Sequence, residues 1–199
     1  MRLSDFNDPM RLSLLEHPAG LAVGSGNHVV YDVVRNVAHF GPATVSGHAL
    51  SWELTEDEPE RARLSAEIDL DPAVDWIVRC DRVDFPPGGV AYLHTHPGPG
   101  IRCLLFGSIR IDTGGRSETY GPFEAWFERG PDPVFAAASE TEETSFVRVM
   151  LLPREWEGKR TIRYVNPDDA EKPRTQRATV FFDHVLGPGP RTRPEGALR

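Results

Sequence analysis

Two histidines separated by a single residue are the first feature with chemical consequences. His94 and His96 lie in the run VAYLHTH, whose apolar and aromatic content reads as a strand. On a strand, residues i and i+2 project from the same face, so the two imidazoles stand side by side. Such a pair ligates a transition metal when further ligands converge on it. Without a metal, one ring serves as a general base. Tyr92, two residues before His94, shares that face and offers a phenol as hydrogen-bond donor or acid, or simply as core filling. The plain alternative is a pair of strand-end or surface histidines, because so short a motif recurs by chance.

The surrounding elements are strands. The runs WIVRCDRVDF, VAYLHTH, IRCLLFGSIRI, EAWFE and SFVRVMLLP are divided by PPGG, PGPG, DTGGRS and RGPDP. Five strands at roughly even spacing with no helix between them predict an antiparallel sandwich or barrel over residues 76–152. Residues 1–75 read as an N-terminal extension with additional strands and a short helix. There Asp8 is an N-cap, Pro9 the first helical residue and MRLSLLEH the helix. Residues 28–40 are rich in valine and give one or two strands, and 43–54 give another. The acidic stretch 55–71 reads as a surface loop with a helical turn. Residues 153–186 hold a capped helical turn at Asn166 and a last strand, ATVFFDHV, and 187–199 have the composition of a flexible end.

Composition narrows the function classes. Glycine and proline number 18 each in 199 residues, which suits frequent turns better than a helical bundle. A net charge of −8 argues against nucleic acid as the main partner, because phosphate binding needs a basic face. It leaves room for a small anion, since a pocket can be locally basic inside an acidic shell. The two cysteines, Cys80 and Cys103, lie in strand-like runs and read as buried free thiols of a reducing compartment, a disulfide being the alternative. The first 19 residues lack the apolar core of a signal peptide, and no stretch of ~20 apolar residues is present. The expectation is a soluble cytoplasmic protein without a membrane partner. No internal repeat, phosphate loop, G-x-S-x-G elbow or H-E-x-x-H helix occurs.

The segment GGVAYLHTHPGPGIRCLLFG resembles the first motif of the cupin family: glycine, five residues, H-x-H, three or four residues, glutamate, six residues, glycine. Gly88, His94, His96 and Gly107 fall on it without a gap, and FPPGG precedes it as a lead-in. The resemblance extends over residues 76–152. It implies an all-β jelly-roll barrel of two facing antiparallel sheets, here with short N- and C-terminal helical turns, and a homodimer. It also implies one divalent transition metal (Fe, Mn, Ni or Zn) on His94 and His96. Two of the usual four ligands are missing. Gly100 stands at the glutamate position. In PFEAWFERGPDPVFAAA, which resembles the second motif, Val134 stands at the histidine position. A metal on two histidines is weakly held.

The family pattern turns position 100 inward, so alternation turns 102, 104 and 106 inward too. Arg102 then places a permanent cation beside the histidines. It either clamps an anionic ligand or pairs with Glu128 or Asp84 as scaffold. Glu128, on a strand near the missing histidine, is a candidate substitute ligand. Trp126 on the same strand is a candidate ligand contact, while Trp52, Trp76 and Trp156 read, as Trp126 also does, as core or interface residues. The expected function is binding of a small, anionic metabolite, with metal-assisted oxygenase or isomerase/lyase chemistry. The alternative is a non-catalytic binding or sensor barrel that has lost its metal.

Overall fold

The computed structural model describes residues 10–187, so the expected N-cap at Asp8 and Pro9 and the tail beyond Gly187 lie outside the described residues. The chain forms three five-stranded antiparallel sheets and a two-stranded ribbon. Two of the large sheets face each other as a barrel. One contains β8 (Trp76–Phe85), β10 (Gly100–Phe106), β13 (Ala125–Glu128), β15 (Thr144–Pro153) and β17 (Arg177–Val185), in the order β13-β10-β15-β8-β17. The other contains β9 (Val90–Thr95), β11 (Ile109–Thr113), β12 (Arg116–Tyr120), β14 (Val134–Ala138) and β16 (Arg163–Tyr164), in the order β12-β11-β14-β9-β16. Apart from the β11–β12 hairpin, successive strands from β8 onward alternate between the two sheets. That alternation is the jelly-roll winding expected from the sequence. Among the described residues no helix is long and apolar enough to cross a membrane.

The N-terminal extension forms the third layer. It consists of β1 (Met10–His17), β3 (His28–Asp32), β4 (Val37–Phe40), β6 (Ala49–Thr55) and β7 (Leu64–Ile68), in the order β4-β3-β6-β1-β7, with the ribbon β2 (Leu21–Val23) and β5 (Ala43–Val45) beside it. Its inner face, with Leu12, Leu14, Leu50 and Trp52, packs on the outer face of the β8-containing sheet, with Val78, Cys80, Ile101 and Val149. Trp52 is fully buried there and donates its indole N–H to the Ile101 carbonyl at 3.2 Å. Both cysteines are free thiols buried in this interface.

Two helical expectations are corrected. MRLSLLEH is strand β1, and the centre of the acidic stretch is strand β7. Met10, Leu12 and Leu14 repeat with period two and are all buried. β6 and β7 flank β1 on both sides, with Leu14 opposite Trp52 and Leu64. A helix of two turns has little stability of its own, whereas β6 along Arg11–His17 and β7 along Met10–Leu14 supply ladder partners to both edges of the first half of the segment. The C-terminal helical turn is present as a 3-10 segment, Pro167–Ala170, capped by the Asn166 side chain on Asp168 N. A second 3-10 turn spans Arg154–Trp156. At Gly107, between β10 and β11, φ is +78°, which a side chain tolerates poorly.

Candidate functional site

The barrel encloses a cavity of about 520 Å³ between its two sheets. Strand alternation supplies the walls. Val83, Phe85, Ile111, Trp126, Ala136 and Phe146 make a continuous apolar surface, all of them buried. At the other end the same strands turn polar: Arg79 and Asp81 on β8, His94 on β9 with His96 just beyond it, Glu128 on β13 and Arg148 on β15. Residues 158–162 and 174–180 complete the wall, and several of them, including Lys159, Arg160, Arg174 and Arg177, are exposed. Exposed lining residues mark where the cavity opens.

His94 and His96 do point into this one space, both nearly fully buried. Their Nε2 atoms are 3.2 Å apart with the rings almost perpendicular, at 83°. The Nδ1–H of His94 donates to the Tyr92 carbonyl at 2.7 Å, which leaves its Nε2 as a lone pair. His96 Nε2 therefore has to donate to His94, yet the Arg148 Nη1 donor also lies 3.3 Å from that nitrogen. The two contacts ask opposite protonation of one atom. Burial pushes both imidazoles below the usual 6.5, His96 further than His94, and the Arg148 and Arg102 cations push His96 further down. Both rings are neutral near pH 7.

The buried charges around them are balanced. Arg148 makes a two-pronged pair with Asp81, at 2.6 and 3.1 Å. Arg102 pairs with Glu128 at 2.6 Å and donates to the Gly100 carbonyl at 2.6 Å. Burial lowers the Arg102 guanidinium to about 10, a shift that Glu128 opposes. The other Glu128 oxygen accepts from Trp126 Nε1 at 2.8 Å. Arg79 grips Asp183 at 2.6 Å through two nitrogens and also donates to the carbonyls of Trp156 and Lys159.

Not every expected residue reaches the cavity. Tyr92 does not line it. A bulge in the β9–β14 pairing shifts the register between Val134 and Ala136, so Ala91 and His94, three residues apart, both face inward. Tyr92 instead packs under Lys172, whose ammonium sits 4.2 Å from the ring centroid. Arg102 is on the inner side of its sheet but fully covered, and its cation is spent on Glu128 rather than presented to the cavity. A second bulge, after Leu104, turns Phe106 outward against Arg82. Glu128 and Trp126 do line the cavity. Sequence reasoning missed Arg79, Asp81 and Arg148. Their signal was a charged residue on alternate positions of otherwise apolar strands, WIVRCDRVDF and SFVRVMLLP.

The two missing ligand positions have structural explanations. A Cβ on Gly100 meets the Val149 carbonyl at 2.5 Å and Met150 Cγ at 2.8 Å, so no side chain fits there. Glu128 is the register partner of Gly100 and brings a carboxylate to 3.8 Å from His96 Nε2. Val134 lies opposite His94 and forms apolar wall. Among the described residues no three His, Cys, Asp or Glu side chains converge as a metal site. Glu128 is neutralised by Arg102, and the Arg148 cation adjoins His96. The donor set does not fit the transition metal that the cupin resemblance implies.

Neither a protein-family model nor a curated protein matches the chain. Among solved structures, an RmlC-like cupin from Shewanella frigidimarina is similar at 13% identity, with a TM-score of 0.36, over 44% of this chain and 84% of that one. AerE from Microcystis aeruginosa is similar at 12% identity, with a TM-score of 0.41, over 73% of this chain and 79% of that one.

Proposed function

We propose that the barrel binds a small organic anion with an apolar body. The observation that carries this reading is the composition of the cavity wall. Of the six cations that line it, Arg79, Arg148 and Arg177 are paired with Asp183, Asp81 and Asp84, which leaves Lys159, Arg160 and Arg174 without a carboxylate partner among the described residues. This excess of positive charge occurs in a chain of net charge −8, and it adjoins an apolar surface suited to a hydrophobic body. The test is equilibrium binding by calorimetry with matched carboxylic acids and their amides. Tighter binding of the acids supports the reading, and equal affinity overturns it.

A second reading adds catalysis. His94 and His96 are neutral, adjacent and open to the cavity, and His96 Nε2 is a nitrogen of contested protonation. A ligand hydroxyl or enolisable carbon placed against the pair meets the His94 Nε2 lone pair, a base able to take a proton. Isomerase- or lyase-type proton transfer is therefore the favoured reaction class. Metal-assisted oxygenation has less support, because no such ligand set is formed among the described residues. Deuterium exchange into a bound acid from D₂O, abolished by His96→Gln, tests the catalytic reading. Absence of exchange from every acid that binds leaves a barrel that only holds its ligand.

A further inference from the structure

What the histidine pair accepts from a ligand depends on which nitrogen of each ring holds the proton. For His94 the answer is local. Its Nδ1 lies 2.7 Å from the Tyr92 carbonyl, which can only accept, so Nδ1 carries the proton and Nε2 a lone pair. For His96 two contacts compete. Its Nε2 lies 3.2 Å from His94 Nε2, which asks it to donate, and 3.3 Å from Arg148 Nη1, which asks it to accept. Arg148 has no freedom to yield. A guanidinium donates at every nitrogen, and Asp81 pins this one through Nε and Nη2 at 2.6 and 3.1 Å. A proton on His96 Nε2 would face that cation, exchanging a charge-assisted hydrogen bond for a neutral one. The Glu128 carboxylate gives such a proton no hydrogen bond, because it lies 3.8 Å away and is held by Arg102 at 2.6 Å. The Thr161 backbone also acts on the His96 ring as an acceptor. Nδ1, buried without another partner, is the nitrogen free to donate to it.

From this geometry we infer that Arg148 is a positioning residue that keeps both Nε2 atoms unprotonated, making the His94–His96 pair a double acceptor for an uncharged O–H or N–H group of the ligand. Two lone pairs 3.2 Å apart on nearly perpendicular rings repel until a donor is shared between them. Both rings are buried and line the cavity, so that donor has to come from within it. An ammonium is opposed by the Arg148 guanidinium at the same nitrogen. An ether, carbonyl or carboxylate oxygen brings further lone pairs. Val134, the register partner of His94, and Trp126 belong to the apolar wall, so the body that carries the donor is apolar at this point. The donor preference rests on the reading that the barrel holds a small molecule; the ring protonation does not.

The test begins on the parent protein without ligand. Long-range proton–nitrogen correlation spectra of isotope-labelled histidine at pH 8 read both tautomers, with His94→Gln and His96→Gln assigning the signals. The expected pattern is Nδ1–H with an unprotonated Nε2 in both rings. A protonated Nε2 on either ring overturns the inference, whatever the barrel binds. The positioning role is read in Arg148→Met/Asp81→Leu, which removes the ion pair as a unit because either single variant strands a buried charge. There the His96 proton is expected to move to Nε2 and bond His94. An unchanged pattern in that variant overturns the role of Arg148. The donor preference is measured with 4-ethylphenol and 4-ethylaniline against 4-ethyltoluene and 4-ethylanisole, by calorimetry and by the Nε2 signals. The two donors are expected to bind the parent about tenfold more tightly and to shift both Nε2 signals, and their order separates O–H from N–H recognition. Equal binding of all four without an Nε2 shift overturns the acceptor pair while small-molecule binding stands. If none of the four binds, the donor preference fails, and the acid–amide comparison above decides the anion-binding reading separately.

Discussion

Arg102 and Arg148 are register partners on β10 and β15, two buried guanidiniums side by side, and each is matched by a carboxylate on its other flank. Glu128 serves the first and Asp81 the second, both at 2.6 Å. The row Trp126, Arg102, Arg148, Asp81 runs straight across four paired strands. Neighbouring like charges survive burial because the signs alternate around them.

Removing one member of such a pair strands the other. Arg102→Met is expected to cost about 3–5 kcal/mol, because Glu128 is left as an uncompensated charge in a buried site. The double variant Arg102→Met/Glu128→Gln restores most of that loss, since the amide still accepts from Trp126. Urea unfolding of the two variants measures the difference. A double variant no more stable than the single one rules out the ion-pair account.

Acidification should destabilise the fold through the histidines. Burial lowers the folded-state values of His94 and His96 below 6.5, with His17 and His184 shifted the same way. As pH falls below about 7, the unfolded chain takes up protons that the folded chain still refuses, so the stability present above 6.5 is progressively lost. Melting temperatures between pH 8 and pH 5 should fall, and less steeply for His94→Gln/His96→Gln. Equal slopes in parent and variant would falsify the assignment to this pair.

Restoring the missing motif glutamate should not restore a metal site. Because a Cβ at residue 100 meets the β15 backbone, Gly100→Ala alone is expected to cost about 1–3 kcal/mol from overpacking. Gly100→Glu should cost at least as much and bind zinc no more tightly than the parent, as titration calorimetry can establish. Tight binding of one equivalent by that variant would show that β15 yields.

Tyr92→Phe is expected to leave ligand affinity within about twofold, because the ring lies under Lys172 and outside the cavity. His96→Gln should change it clearly. A larger effect from Tyr92→Phe than from His96→Gln would place the phenol in the site after all.

Most of the barrel could be read from the sequence because its strands have simple period-two patterns broken by proline and glycine. The histidine pair was legible for the same reason. Tyr92 and Phe106 were misplaced by one common cause, a bulge that inserts a residue and inverts every face beyond it. Nothing local in YLHTH or CLLFG announces such a bulge, because it is settled by the partner strand. Arg102 was placed on the correct side with Glu128 among its candidate partners, but the choice between Glu128, Asp84 and an anionic ligand stayed open. Which carboxylate meets it depends on the register that sets Glu128 opposite Gly100, a long-range fact. The N-terminal helix failed because two neighbours 32 to 58 residues away in sequence claim the backbone of β1.

The central sheet has no wet face over much of its area: the cavity wall covers one side and the N-terminal layer the other. The strands β8, β10 and β15 are consequently the slowest place in the molecule for amide hydrogens to meet solvent, since exposing them requires both layers to leave. The extension and the barrel are therefore expected to lose their structure in one cooperative transition, and any molecule bound between the sheets would also stabilise the N-terminal layer.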